Sequence, residues 1–493
     1  MAIYDITDMD ELTKETYTSL RTPAVKSQRE IDTMKQITVD RQLYDLVDET
    51  KSDKFKKLED VSAIGTGNVM IAVFSRIHPG EEKEKELYKW YDEEHIPMLA
   101  KVPGWLRSRR FKTSYIDEGA PTEYFALHEY SPENGLGGPE FQAATTTDWG
   151  KKIVQDVVTD KKRRVYNLYY TFGPAPRELR ALATPGLQPF SSPDGKTRTF
   201  PASKEGDRPA IESYITTKDG AILPFRLEGS PDPDAPLIVL SNSVLVEWGI
   251  WDAFVEAFFQ HPENKKYRIL RYHARGRYSN AGSKSVTVDV LASDIIALLD
   301  ALRVPKAAAI VGVSLGGATV LNTALKYPNR VAAFVSCDTN ANSPAGNRKA
   351  WGERIEVAEK EGTKASEGEA IVGEQLAEMT VRRWFVKESY DAGELEKRIA
   401  KVKDMVINNS LEGFKKGVEA LFDYDLRDEM KTATVKGAFL VGGGDGVLPD
   451  GMKKMAADYG KGAEFKIIES AGHLPMVEKP EEVADFVTKF LGY

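Results

Sequence analysis

The sequence predicts two folded parts. The larger, C-terminal one is an α/β domain with a mostly parallel sheet and helices on both faces; a smaller α+β domain precedes it. Three observations carry this. The chain has 493 residues, too many for one ordinary domain. From Ile211 onward, short apolar runs (PLIVLSN, YRILRYH, AAAIVGV, AAFVSCD, GAFLVGG, EFKIIES) alternate with helical stretches, as strands buried on both faces do. Residues 173–205 are dense in Pro, Gly and Ser and carry no period, so the main boundary is expected near residue 205.

Residues 1–65 are charged and weakly patterned, and read as a polar arm in which Asp40–Lys57 has helical potential. Residues 66–175 form the small domain. VMIAVFSRI (69–77) reads as a strand, and 81–99 as a helix with Leu87, Trp90 and Tyr91 on one face. Strands follow at 105–116 and 123–130, then a helix at about 139–157 and a last strand at 166–172. The order β-α-β-β-α-β is that of a ferredoxin-like split. A linker covers 176–205, and the large domain covers 206–493. Within it, residues about 345–431 are helical, charged and without a strand, as expected of a cap over the strand ends.

Composition narrows the function. Apolar residues make up 41% and charged residues 29%, the balance of a soluble globular chain. A net charge of -8 argues against a nucleic-acid partner, which calls for a basic stripe. No stretch approaches the roughly 20 apolar residues of a membrane span. The first residues lack the basic and apolar parts of a targeting segment, so a cytoplasmic protein is expected. The single cysteine, Cys337, rules out a disulfide within the chain. The sequence has no paired cysteines, HxxxH or EF-hand loop, so neither metal nor cofactor is expected.

The chemistry centres on Gly312-Val313-Ser314-Leu315-Gly316, a G-x-S-x-G between an apolar strand and a helix. That context is the strand–nucleophile–helix turn of the α/β-hydrolase fold. A serine hydroxyl needs a base, and His473 is the only histidine downstream of Ser314. The acid is expected after the penultimate strand, where GAFLVGGGDGVLP offers Asp445; Asp450 is the local alternative, and Asp425 falls too early, in the cap. Backbone N–H groups of Leu315 and Val244 are expected to form the oxyanion hole. Arg354, Arg382, Arg383 and Trp384 in the cap are candidates to meet a flat, anionic substrate, since guanidinium pairs well with carboxylate.

LSNSVLVEWGIWD (240–252), RILRYHARGRYSN (268–280), IIALLDALRVPKAAAIVGVSLGG (295–317), RRWFVKE (382–388) and AGHLPMVEKPEE (471–482) resemble the 3-oxoadipate enol-lactonases. The resemblance covers about residues 211–493. It implies cofactor-free opening of a small-molecule lactone or ester, with Asn242, Ser243, Arg383 and Trp384 at the substrate. The alternatives are a carbon–carbon bond hydrolase of a keto acid, a tailoring hydrolase of a secondary metabolite, and a non-catalytic ligand-binding fold. Two loops depart from the family pattern. His273-Ala274-Arg275-Gly276-Arg277-Tyr278 replaces Asp-Thr-Arg-Gly-His-Gly, and Val244-Leu245-Val246 replaces a Gly-containing turn.

In the small domain, ELYKWYDEEHIPMLAKVPGWLRSRRF resembles the EthD-like members of the dimeric α+β barrel superfamily, with their W-Y-x-x-E-H-x-P helix. This resemblance implies a homodimer. Glu94 and His95 are candidates for a second site, with a structural role for His95 as the alternative; His128 has the same ambiguity.

Overall fold

The computed structural model describes residues 1–492 apart from 24–25, 27, 57–66, 118, 172, 174, 185–189, 192–197, 204–207, 392 and 461. Parts of the expected arm and linker, and the boundary near residue 205, lie outside the described residues. The chain divides into two compact units, Met1–Phe172 with Ser192–Lys196, and Gly173–Ser191 with Thr197–Tyr493.

The first unit is a five-stranded antiparallel sheet of β1 (Tyr44–Lys51), β2 (Val69–Ile77), β3 (Trp105–Thr113), β4 (Tyr124–Tyr130) and β5 (Val158–Asn167), in the order β1-β3-β4-β2-β5. Alternate residues of β4 point to opposite faces, as in any strand. Tyr124, Ala126 and Tyr130 pack with Leu87, Trp90, Ile96, Leu99 and Ile153 from the helices. Phe125 and Leu127 face the other way, among Tyr44, Met70, Phe74, Phe111 and Tyr166.

Two elements differ from expectation. Residues 44–51 form an edge strand, not a helix. Their carboxylates run along the arginines of β3, with Asp48–Arg110 at 3.0 Å and Glu49–Arg107 at 3.1 Å, so pairing with a basic neighbour overrides a weak local preference. The last strand runs over Val158–Asn167, earlier than 166–172, because its charged residues are mostly exposed and give no alternation to read.

The second unit holds a ten-stranded sheet among the described residues. Its outer strands, β6 (Phe190–Ser191), β7 (Arg198–Pro201), β8 (Ala210–Thr216) and β9 (Ile222–Gly229), are antiparallel. The parallel part consists of β10 (Leu237–Ser241), β11 (Arg268–Tyr272), β12 (Ala309–Val313), β13 (Ala333–Cys337), β14 (Lys436–Gly442) and β15 (Glu464–Ile468). Its spatial order is β15-β14-β13-β12-β10-β11, all parallel. Strands β10 to β13 are buried along their whole length, because helices cover both faces. Between β13 and β14 the chain leaves the sheet for the helices Asn347–Glu361, Glu374–Trp384, Glu394–Ile407 and Leu411–Gly417, where the cap was expected.

One buried ionic knot fixes the loop after β11. Arg275 donates to Asp219 at 2.5 Å and to Asp294 at 2.7 Å, and also to the Ala281 carbonyl at 3.0 Å. Its charge is matched on both sides, as a guanidinium this deeply buried requires.

Candidate active site

Ser314 lies between β12 and the helix Leu315–Lys326, with φ 59° and ψ -118°. A left-handed conformation is unfavourable for a residue with a Cβ, so the surrounding packing must hold it there. The neighbours are glycines for a steric reason. A Cβ on Gly312 would lie 2.2 Å from the Gly316 carbonyl oxygen, and one on Gly316 would lie 2.4 Å from that of Ser241. The turn is pinned from below, since the Ser314 N–H donates to the Cys337 carbonyl at 2.9 Å. Leu315 opens the helix, so its N–H is one of the first-turn donors without an intrahelical partner.

His473 Nδ1 and Asp445 Oδ2 are 2.6 Å apart. Asp445 stands just beyond β14, and His473 in the loop after β15. The two alternative acids are elsewhere. Asp450 sits in the first turn of the helix Leu448–Asp458, and Asp425 pairs with Arg427 at 2.5 Å. The cap holds the histidine loop: the His473 N–H donates to the Trp384 carbonyl at 2.6 Å, and the Trp384 ring stacks on the imidazole at 5.7 Å. Glu478 ties the same parts together. Its carboxylate accepts from Val386 N at 3.1 Å, Ser389 Oγ at 2.6 Å and Gly472 N at 2.5 Å.

Sequence reasoning missed two acidic residues here. Glu478 is one. The other is Asp338, the first residue after β13, which is 1% exposed and has φ 45°. Functional atoms of Asp338, Asp445 and His473 all lie within 4.8 Å of one another. Only the strand order could have revealed Asp338, because β13 runs between β12 and β14, the strands that lead into Ser314 and Asp445.

The loop after β10 carries Asn242, Ser243 and Val244, all buried. The Asn242 amide is engaged structurally: it donates to the Tyr272 carbonyl at 2.9 Å and accepts from Trp251 Nε1 at 3.0 Å. Ser243 Oγ is buried without a hydrogen-bond partner among the described residues. Leu245 has φ 70°, a conformation that glycine adopts freely, at the point where the enol-lactonase pattern carries its glycine. His273 stacks on Trp248 at 3.9 Å, and burial pulls its pKa down to about 3, so it is neutral. Arg277, in place of the pattern's histidine, pairs with Glu247 and the Met405 carbonyl.

In the cap, Arg382 is spent on Glu378 at 2.7 Å and on the Tyr390 ring. Arg383 is different. It keeps access to solvent, yet desolvation and then the neighbouring Arg354 pull its pKa down to about 10, against a smaller opposing effect of Asp445. Arg354 lies over the Trp351 ring at 4.5 Å and is lowered mainly by burial.

In the first unit, Glu94 accepts from Trp90 Nε1 at 3.2 Å and from Thr147 Oγ1 at 2.6 Å. His95 donates through Nδ1 to the Ala144 carbonyl at 3.1 Å, stacks on Trp90 at 4.3 Å, and is brought by burial to a pKa of about 4. His128 is fully buried beside Ser108 Oγ at 2.8 Å, and its pKa is pulled down to about 3 by burial.

Comparison with known proteins agrees with the second unit's architecture. The family model described as alpha/beta hydrolase fold matches residues 247–480. The chain is 28% identical to 3-oxoadipate enol-lactonase 1 of Acinetobacter baylyi over 283 residues, which are 57% of this chain and 95% of that protein. It is 24% identical to a pimeloyl-acyl-carrier-protein methyl ester esterase of Aliivibrio salmonicida, over 51% of this chain and 92% of that one. The crystal structure of the enol-lactonase from Burkholderia xenovorans superimposes with a TM-score of 0.50 at 26% identity, covering 57% of this chain and all of that one. The C-terminal unit therefore has the alpha/beta hydrolase fold and is a hydrolytic enzyme of that class.

Proposed function

We propose that the C-terminal unit opens a small lactone or ester by nucleophilic catalysis, with Ser314 as nucleophile, His473 as general base and Asp445 as the acid that orients it. The observation that carries this is the 2.6 Å bond between His473 and Asp445, at the same end of the sheet as a serine in a strained strand-to-helix turn. With Nδ1 bound to Asp445, Nε2 is the nitrogen left for the serine. Ser314 Oγ attacks the carbonyl carbon as its proton passes to His473. Negative charge on the carbonyl oxygen falls to the N–H groups of Val244 and Leu315. His473 then gives the proton to the departing oxygen, and a water activated by the same imidazole releases the acid from Ser314.

The two enol-lactonases in the comparison favour a lactone whose leaving oxygen is an enol, which relaxes to a ketone after ring opening. Arg383, with Arg354 behind it and Trp384 beside the imidazole, suits a substrate that carries a carboxylate. Incubation with a panel of enol-lactones and aryl esters, with and without a carboxylate, tests this by mass gain of one water. Turnover of anionic members is expected; turnover of neutral esters alone would contradict the assignment.

For the first unit we propose an EthD-like, ferredoxin-like domain that forms a homodimer. Its support is the sheet face opposite the helices Glu81–Trp90 and Asp148–Asp156, where Met70, Phe74, Phe111 and Tyr166 are only partly covered. A sheet face of this kind gains by pairing with a second copy. The hydrogen bonds of Glu94 and His95 favour a structural role for both over a second active site.

A further inference from the structure

We propose that Asp338 is a positioning residue for the hydrolase: it carries a proton and donates a hydrogen bond to the Asp445 carboxylate, holding that group in place for His473. The role rests on Ser314, His473 and Asp445 forming the triad.

The backbone fixes Asp338 from both sides. Its N–H donates to the Leu440 carbonyl of β14 at 3.0 Å, while the preceding carbonyl, of Cys337, accepts from Ser314 N. Its φ of 45° is one that Asp tolerates better than most residues. The side chain turns toward β14, where Oδ1 accepts from Gly442 N at 2.8 Å. The second oxygen, Oδ2, is buried and has no donor among the described residues. A lone anionic oxygen in such a place is expensive, and a proton on it removes the expense.

The neighbours decide where the proton goes. Facing Asp338 are the Cys337 thiol, the Asp445 and Glu478 carboxylates, and the His473 ring; the cap cation Arg383 interacts with Asp445. Two carboxylates with oxygens within 4.8 Å of each other repel, which favours a proton on the one that is more deeply buried. Asp445 is part-exposed and bonded to the imidazole, whereas Asp338 is wholly enclosed. The proton therefore sits on Asp338. Burial first, and Asp445 second, push its carboxyl up in the same sense. Protonation turns the orphaned oxygen into a donor, and Asp445 is the acceptor within reach. The bond stops Asp445 from rotating and tempers its pull on the imidazole proton.

The test uses the full chain with Asp338→Asn and Asp338→Ala, an activated aryl ester as substrate, kcat/KM across pH, and thermal denaturation. The Asn amide donates the same hydrogen bond. Asp338→Asn is expected to keep kcat/KM within about threefold and to leave the acid limb of the profile in place. Asp338→Ala removes a hydrogen bond to a charged group and is expected to lower kcat about tenfold. Freed of that bond, Asp445 binds the imidazolium more strongly, so the acid limb moves to higher pH. A downward shift of the limb in Asp338→Asn would mean that an anion had been removed, and would overturn the proposal. A lower melting temperature with an unchanged rate and profile in Asp338→Ala would also overturn it, by reducing Asp338 to a filler. If the Ala variant does not fold, the limb position of Asp338→Asn decides alone. Ser314→Ala and His473→Ala separate the two claims: activity in those variants defeats the triad itself, whereas their inactivity with a shifted Asp338→Asn profile defeats only the role of Asp338.

Discussion

Gly316→Ala probes whether the nucleophile turn and the oxyanion loop share one tight contact. The new Cβ would lie 2.4 Å from the Ser241 carbonyl oxygen and 2.6 Å from that of Asn242. Ordinary contact begins near 3.4 Å, so about 1 Å must be found. Both obstacles are main chain and cannot rotate away. The loop after β10 or the start of the helix Leu315–Lys326 has to move, and Val244 and Leu315 move with them. Overpacking of this kind costs about 1–3 kcal/mol, against a gain of at most about 1 kcal/mol from replacing a helical glycine. A displacement of about 1 Å in a catalytic constellation lowers the rate on the order of 100-fold. Steady-state hydrolysis of an activated aryl ester and thermal denaturation read both effects. Gly352→Ala is the control: it is helical and a Cβ there meets nothing within 4 Å, so it is expected to be slightly stabilising at an unchanged rate. A Gly316→Ala enzyme with wild-type kcat/KM would refute the contact's importance.

Arg275→Ala leaves the buried carboxylates of Asp219 and Asp294 without their cation, and is expected to cost about 3–5 kcal/mol in calorimetry. A melting temperature within a degree or two of wild type would contradict the knot's role. Arg383→Met is expected to raise KM about tenfold or more for a carboxylate-bearing substrate while leaving neutral aryl esters nearly unaffected; equal losses on both would show that Arg383 only supports the cap. Sedimentation of the full chain is expected to give a dimer, and Phe74→Glu on the partly covered sheet face a monomer; a monomeric wild-type protein would remove the dimer proposal.

The sequence displays some of this site directly and hides the rest. Ser314 is visible because a strained turn demands small neighbours at fixed offsets, and Gly312 and Gly316 meet that demand. Asp445 and His473 are visible because each follows an apolar strand, and no other histidine lies downstream. Asp338 also follows an apolar strand, yet its meaning depends on β13 lying between β12 and β14, a fact of spatial order rather than of chain order. Glu478 reads as one more surface acid in a helical stretch; its carboxylate is buried only because the cap segment Val386–Ser389 comes back onto it. The strand β1 escapes notice and β5 is placed too late because pattern reading detects buried faces, and these edges are largely exposed. The cap is legible as an interruption, but the different surroundings of its arginines are not. Arg382 and Arg383 are adjacent in sequence, and only packing separates the one paired with Glu378 from the one desolvated beside Arg354.

The most direct test of the central claim is labelling of the full-length protein with a fluorophosphonate, with the adduct located by peptide mass spectrometry. Stoichiometric modification of Ser314 is expected, abolished in Ser314→Ala and slowed by about 1,000-fold or more in His473→Ala. An unlabelled Ser314, or a His473→Ala variant labelled at the wild-type rate, would contradict it.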